Sequence, residues 1–112
     1  MSTQKLYLGE FEELILLAVL ALRENAYGVS IRDLIEQETG RAVSFGAIYT
    51  TLERLQQKGY VSSQQGESTP ERGGRAKRYF KIEGAGEVVL KQTQIARNRM
   101  LALAKLKPAW QL

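Results

Sequence analysis

The chain contains no cysteine and no histidine in 112 residues. The first absence excludes a disulfide framework and a thiolate zinc site. The second removes the commonest general base and the commonest metal ligand. Asp33 is the only aspartate, so a hydrolase or metalloenzyme would have to work with glutamates alone, and the shortage points away from an enzyme. No catalytic residue, metal site or cofactor is expected. Long hydrophobic runs are also missing. The longest, Leu14 to Leu22, has nine residues, against about 20 for a membrane span. It follows Glu10, Glu12 and Glu13 rather than a basic leader, which is unlike a signal peptide. The expectation is a soluble, cytoplasmic protein.

What is present is unevenly charged. Residues 1–43 carry a net −3, residues 44–81 a net +4 and residues 82–112 a net +3, giving the overall +4. Positive charge therefore begins in the middle of the chain, and clustered positive charge is the electrostatic footprint of a polyanion partner.

The pattern along the chain is mainly helical, with one hairpin. Gly9 to about Glu24 reads as a first helix, apolar all round at its centre, so more than one side must be covered. After the turn Asn25-Ala-Tyr-Gly28, Ser30 is expected to cap a second helix, with Asp33 in a capping-box-like position. That helix stops at Gly40. Ser44 caps a third helix running to Lys58, with Gly59 as its stop. Tyr60 to Gln65 and Arg75 to Ile82 form two strands around a loop rich in glycine and polar residues. Gly84 to Leu106 is one helical pattern ending before Pro108, about 35 Å long at 1.5 Å per residue. The organisation expected is one unit of three short helices and a hairpin over residues 1–83, followed by a long helix and tail over residues 84–112.

The third helix separates into faces. Phe45, Ile48, Leu52 and Leu55 share one stripe, and Gly46, Ala47, Thr50, Glu53, Arg54 and Gln57 lie opposite, with Tyr49 on the boundary. The N-terminal half of the outer face is small. Small residues let a helix approach base edges, and recognition helices read bases with their N-terminal residues. The reading assigns base contact to Ser44, Gly46, Ala47 and Thr50. Tyr49, Arg54 and Lys58 would fix position on phosphates, with the hairpin cations Arg72, Arg75, Lys77 and Arg78. Arginine forks suit phosphate oxygens. Arg78 ranks below Arg75 and Lys77 because strand alternation points it towards the body with Phe80, where it would pair internally.

These residues resemble the PadR family of bacterial transcriptional regulators, over about Leu6 to Leu90. The matching elements are Tyr27-Gly28; Gly46-x-Ile48-Tyr49-x-x-Leu52-x-x-Leu55-x-x-x-Gly59; and Gly73-Gly74-Arg75-x-Lys77-Arg78-Tyr79-Phe80-x-Ile82 leading to Ala85-Gly86. The resemblance, with a length that suggests the shorter subfamily, implies a winged helix-turn-helix with a single long C-terminal dimerisation helix, a homodimer and usually repression. Three positions depart from the family pattern. Thr50 stands where proline often follows the helix-3 tyrosine. Glu83 stands where threonine usually opens the last helix, so that helix should start at Gly84 or Ala85. The Gly66 to Gly74 loop is also longer than is typical. Some family members bind aromatic or drug-like molecules near the dimer interface, where Met100, Leu103 and Trp110 could line a site for a small aromatic effector. The alternative, which the residues favour, is that Trp110 is a packing residue or part of a frayed tail.

A dimer is also expected from the residues themselves. The first helix needs a second cover, and the last is too long for its own domain. Leu14, Leu17, Val88, Val89, Ile95, Ala96, Met100 and Leu103 are the expected interface. Two-fold symmetry would set two recognition helices in major grooves about 10 bp apart or a multiple of that, on a pseudo-palindromic operator. The rival reading is a winged-helix protein-interaction module, which predicts an apolar or acidic outer face on the third helix and no basic wing. An RNA or single-strand binder would display several stacking aromatics, whereas the second strand offers Tyr79 alone.

Overall fold

The computed structural model describes residues 7–66 and 77–107. The elements are α1 (Glu10–Leu22) with a 3₁₀ turn (Arg23–Asn25), α2 (Gly28–Thr39), α3 (Phe45–Gln57), β1 (Val61–Gln65), β2 (Arg78–Ile82) and α4 (Gly84–Ala104). The architecture is mainly helical with a two-stranded antiparallel hairpin, in which Val61 pairs with Ile82 and Gln65 with Arg78.

One core joins the three short helices to the hairpin. Ile15, Leu16 and Val19 of α1, Ile31 and Ile35 of α2, Ile48, Leu52 and Leu55 of α3, and Val61 and Phe80 of the hairpin are all buried. The segment before α2 docks on β2: the Phe80 N–H donates to the Ala26 carbonyl at 2.8 Å, and Tyr27 pairs with Tyr79 as an isolated bridge. The hairpin is thus held from both sides, by α3 through the chain and by the start of α2 through β2.

Local chemistry explains most boundaries. The Ser44 hydroxyl accepts from the Ala47 N–H at 3.1 Å and caps α3. Gly59, at φ +80°, lets the chain leave α3 and turn into β1. α4 starts at Gly84 with no side-chain cap from Glu83. The start of α2 differs from expectation. It lies at Gly28 with Tyr27 as N-cap, and Ser30 sits one turn inside. The Ser30 hydroxyl accepts from the Tyr27 N–H at 3.0 Å, supplying the reach-back contact of a capping box instead of the cap itself. Asp33 pairs with Arg32 at 3.1 Å.

Three described glycines are fixed by close approach, Gly66 against the Tyr79 ring among them. A Cβ at Gly28 would collide with the ring and hydroxyl of Tyr49, and one at Gly86 would collide with the Tyr60 carbonyl. Gly86 lets the first turn of α4 cross the entry of β1. Gly86→Ala is expected to destabilise the protein by about 2 kcal/mol, in the range of overpacked sites, as read by urea unfolding.

Two buried glutamates tie α1 to its neighbours. Glu12 is 8% exposed; its carboxylate accepts from the Gly9 N–H at 2.9 Å and from Lys58 Nζ at 3.1 Å, with Arg54 at 3.8 Å. Burial opposes ionisation of this carboxyl. The Gly9 hydrogen bond and the Lys58 and Arg54 charges outweigh it and hold the group below its usual value of 4.5. A carboxylate with a lowered folded-state pKa stabilises above its unfolded value and loses that contribution as pH falls through the folded value. Glu12→Gln is therefore expected to cost about 1 kcal/mol at neutral pH and to flatten the acid limb of a stability–pH profile below 4.5. Urea unfolding between neutral pH and pH values below that range measures both.

Glu13 bonds Gln94 at 2.8 Å and also pairs with Arg97, both on α4. The Thr93 hydroxyl accepts from the Leu8 N–H at 3.2 Å. Beyond Arg97, α4 continues with every described residue exposed. Its 21 residues make about 31 Å of helix, and only Gly86, Val89, Leu90 and Thr93 are buried on the body.

Candidate nucleic-acid interface

The N-terminal half of α3 forms an exposed edge. Ser44, Gly46, Ala47, Tyr49 and Thr50 are all exposed, while Ile48, Leu52 and Leu55 hold the opposite face in the core. The five residues assigned to base contact and docking therefore lie on one accessible surface.

Phe45 joins them, contrary to the stripe that the helical spacing gave it. It is 37% exposed, at the first position of α3, where the helix has not yet turned over the core. Its ring carries the Arg32 guanidinium at 4.2 Å and lies 6.5 Å from the Tyr49 ring. Val29 on α2 is exposed as well. Sequence reading missed Val29 and Arg32, because nothing in α2 alone reveals that its first turns border α3. The Tyr27-Gly28 pair was the available signal. Gly28 has no side chain because the Tyr49 ring occupies that space.

The expected phosphate contacts divide into two groups. Lys77 sits at the root of the wing with Nζ 4.0 Å from the centre of the Tyr27 ring, a cation–π seat beside the start of α2. Arg72 and Arg75 lie outside the described residues. Lys58 and Arg54 face Glu12 towards the far end of α3, with about half of each side chain still exposed. Their charge is engaged with α1, and Lys58 is at the C-cap, away from the exposed N-terminal edge.

Arg78 pairs internally, as its place on β2 led one to expect. Its Nε donates to Ser63 Oγ at 3.0 Å, Nη1 to Glu53 at 2.7 Å and Nη2 to Gln56 at 2.8 Å. Hydrogen bonding and charge from Arg78 hold the Glu53 carboxyl below its usual range. Glu53, the one acid on the outer face of α3, is thereby neutralised. The fork joins the hairpin to α3, as the alternation of β2 suggested.

The residues expected at a dimer interface differ in exposure. Leu17, Val88, Ile95, Met100 and Leu103 are exposed, Leu103 at 78%. Leu20, Leu101 and Leu106, outside the expected set, are exposed beside them. Leu14 and Ala96 are half-buried. Val89, at 3% exposure, is packed in the protomer core on the inner side of the first turns of α4. Trp110 lies outside the described residues, so the proposed effector lining reduces here to Met100 and Leu103, both on the free end of α4.

A separate open groove of about 800 Å³ runs between the end of α1 and the hairpin, lined in part by Val19, Leu20, Arg23, Gln64, Tyr79 and Lys81. It includes no α3 residue. Among the described residues no group of metal-ligating side chains is present, and no helix is long and apolar enough to cross a membrane.

A helix with an exposed N-terminal edge, set in a three-helix core and followed by a hairpin, defines a winged helix-turn-helix protein. A family model described as the transcriptional regulator PadR-like family matches residues 16–92, and the chain belongs to that family. Its members are regulators of transcription, not enzymes. No curated protein matches the sequence. Solved structures are similar over most of the chain. A PadR-like transcription factor from Bacteroides fragilis is 26% identical at a TM-score of 0.69, over 85% of this chain and 86% of that one. A PadR-family regulator from Eggerthella lenta is 20% identical at 0.68, over 86% and 83%. Bacillus subtilis PadR, solved in complex with operator DNA, is 15% identical at 0.62, over 87% of this chain and 61% of that one.

Proposed function

We propose that this chain is a sequence-specific double-stranded DNA-binding repressor that acts as a homodimer on a pseudo-palindromic operator. α3 enters the major groove, with Ser44, Gly46, Ala47 and Thr50 at base edges and Tyr49 at the backbone. The wing lies along the phosphates or the minor groove, with Lys77, Arg72 and Arg75 as its cations. The observation that carries the reading is the exposed, small-residue N-terminal edge of α3, bordered by Arg32 and Lys77 and free of an unpaired acid among the described residues. A protein-docking winged helix would use the exposed Phe45, Tyr49 and Val29 at this edge and would have no use for the wing cations.

The dimer reading rests on the apolar residues left open on α1 and α4. Burying a fully exposed large side chain contributes about 1.5–3 kcal/mol, and a helix pair that covers Val88, Ile95, Met100 and Leu103, with the partly covered Leu17 and Leu20, gains a share of that at each position. Symmetry then makes the same patch serve both protomers.

Salt dependence tests the DNA claim. With about six to ten phosphates neutralised per dimer, log affinity for duplex DNA should fall against log salt with a slope of roughly −5 to −9. A nearly flat dependence would contradict it.

A further inference from the structure

The acid on the reading helix, Glu53, looks at first like an obstacle to DNA binding, since it stands on the outer face and repels phosphate. Its surroundings suggest a different role. Arg78 reaches it from the hairpin and spends all three guanidinium nitrogens on separate acceptors: Ser63 on the neighbouring strand, and Glu53 and Gln56 on α3. The guanidinium also lies 4.9 Å from the centre of the Phe80 ring, whose side chain is in the core. One planar group therefore bonds two successive turns of α3 and both strands of the hairpin.

We propose that Arg78 is a positioning residue that latches the wing to the recognition helix, and that Glu53 serves as its seat. The inference rests on the DNA-binding reading and adds a division of labour to it. Arg78 supplies no phosphate contact. It fixes the angle at which the wing leaves α3, so that the wing cations and the α3 edge meet the same duplex in register. A lysine cannot replace it, because one ammonium on a flexible stem does not span three acceptors set around a plane. Removing either partner weakens the tie to α3 and leaves the hairpin held at its root by the core and by the hydrogen bond from Phe80 to Ala26. A looser wing must be ordered again on binding, at a cost in affinity.

This assignment makes a prediction opposite in sign to simple electrostatics. If Glu53 only repels DNA, deleting it raises affinity. If it seats the latch, deleting it lowers affinity although a negative charge has been removed. Alanine at position 53 keeps the helix, being the best helix former.

The test uses the full chain and a duplex recovered by selection from a random pool with the unaltered protein. Affinities are read by fluorescence anisotropy at one salt concentration for Glu53→Ala, Arg78→Ala, the double alanine variant and Arg78→Lys. We expect Glu53→Ala to bind about fivefold to tenfold more weakly, from the worth of charge-assisted hydrogen bonds. The double alanine variant should bind no more weakly than Arg78→Ala alone. Arg78→Lys keeps the charge without the fork and should bind as weakly as Arg78→Ala. Tighter or unchanged binding by Glu53→Ala overturns the latch, as does an Arg78→Lys variant that binds like the unaltered protein. Thermal melts of the same variants identify a loss of fold, and lost affinity with an unchanged melt is a loss of register. If the unaltered protein enriches no duplex, the DNA-binding reading fails first and takes the latch with it.

Discussion

Gly46→Glu is expected to abolish recognition of the operator while leaving the fold intact. A Cβ at position 46 meets nothing nearer than the Ser44 hydroxyl at 3.9 Å, and the backbone there is ordinary helix. Folding therefore does not require this glycine. Gly46→Ala should even raise stability by about 0.5–1 kcal/mol, the usual gain from replacing a helical glycine. Close approach to DNA is the remaining reason for a small residue. A glutamate at the same place brings both bulk and negative charge to the groove floor, twice in a symmetric dimer. Loss of affinity by at least about a hundredfold follows from unpaired charge against base edges and phosphate. Anisotropy with operator duplex, alongside a thermal melt, reads both effects. An intact melt with intact binding would remove Gly46 from the interface. The contrast with Gly28 and Gly86 sharpens the test, since a Cβ in either of those collides with the protein itself.

The double substitution Met100→Glu and Leu103→Glu should convert the protein to monomers. Both side chains are exposed and lie on the part of α4 that leaves the body, so the protomer fold does not depend on them. Placing four carboxylates in a symmetric apolar seam removes the burial that drives association and adds unpaired charge. Operator affinity should fall by at least about a hundredfold, because the second half-site no longer binds as an intramolecular event. Sedimentation equilibrium reads the mass, and the melting temperature of the unaltered protein should rise with its concentration. A double variant that remains dimeric would place the interface elsewhere.

The elements whose boundaries are set by local chemistry were legible in the sequence. Ser44 and Gly59 bracket α3 because a hydroxyl cap and a left-handed stop act within a few residues of themselves. The start of α4 at Gly84 followed from the poor capping of glutamate. What depended on distant partners was harder to read. Lys58 looked free for phosphate because its partner Glu12 is 46 residues away, and the partner of Arg78 is 25 residues away. Strand alternation gave the direction of Arg78 and no more. Phe45 was misplaced because periodicity assumes a whole helix over the core, whereas its first residue hangs beyond the edge. Val89 was grouped with the interface for a related reason. α4 carries a short stripe for its own body and a longer one that is left open, and spacing alone merges the two. Ser30 kept its capping chemistry but served from inside the helix, since the chain is already held to β2 at Ala26 and Tyr27.

Selection from random duplexes with the purified full chain reports on α3, symmetry and spacing together in one recovered motif. The expected motif is an inverted repeat whose half-site centres are about 10 bp apart or a multiple of that. Gly46→Glu should recover no such motif. Enrichment of no duplex sequence, or of a single site without two-fold symmetry, would contradict sequence-specific binding as a homodimer.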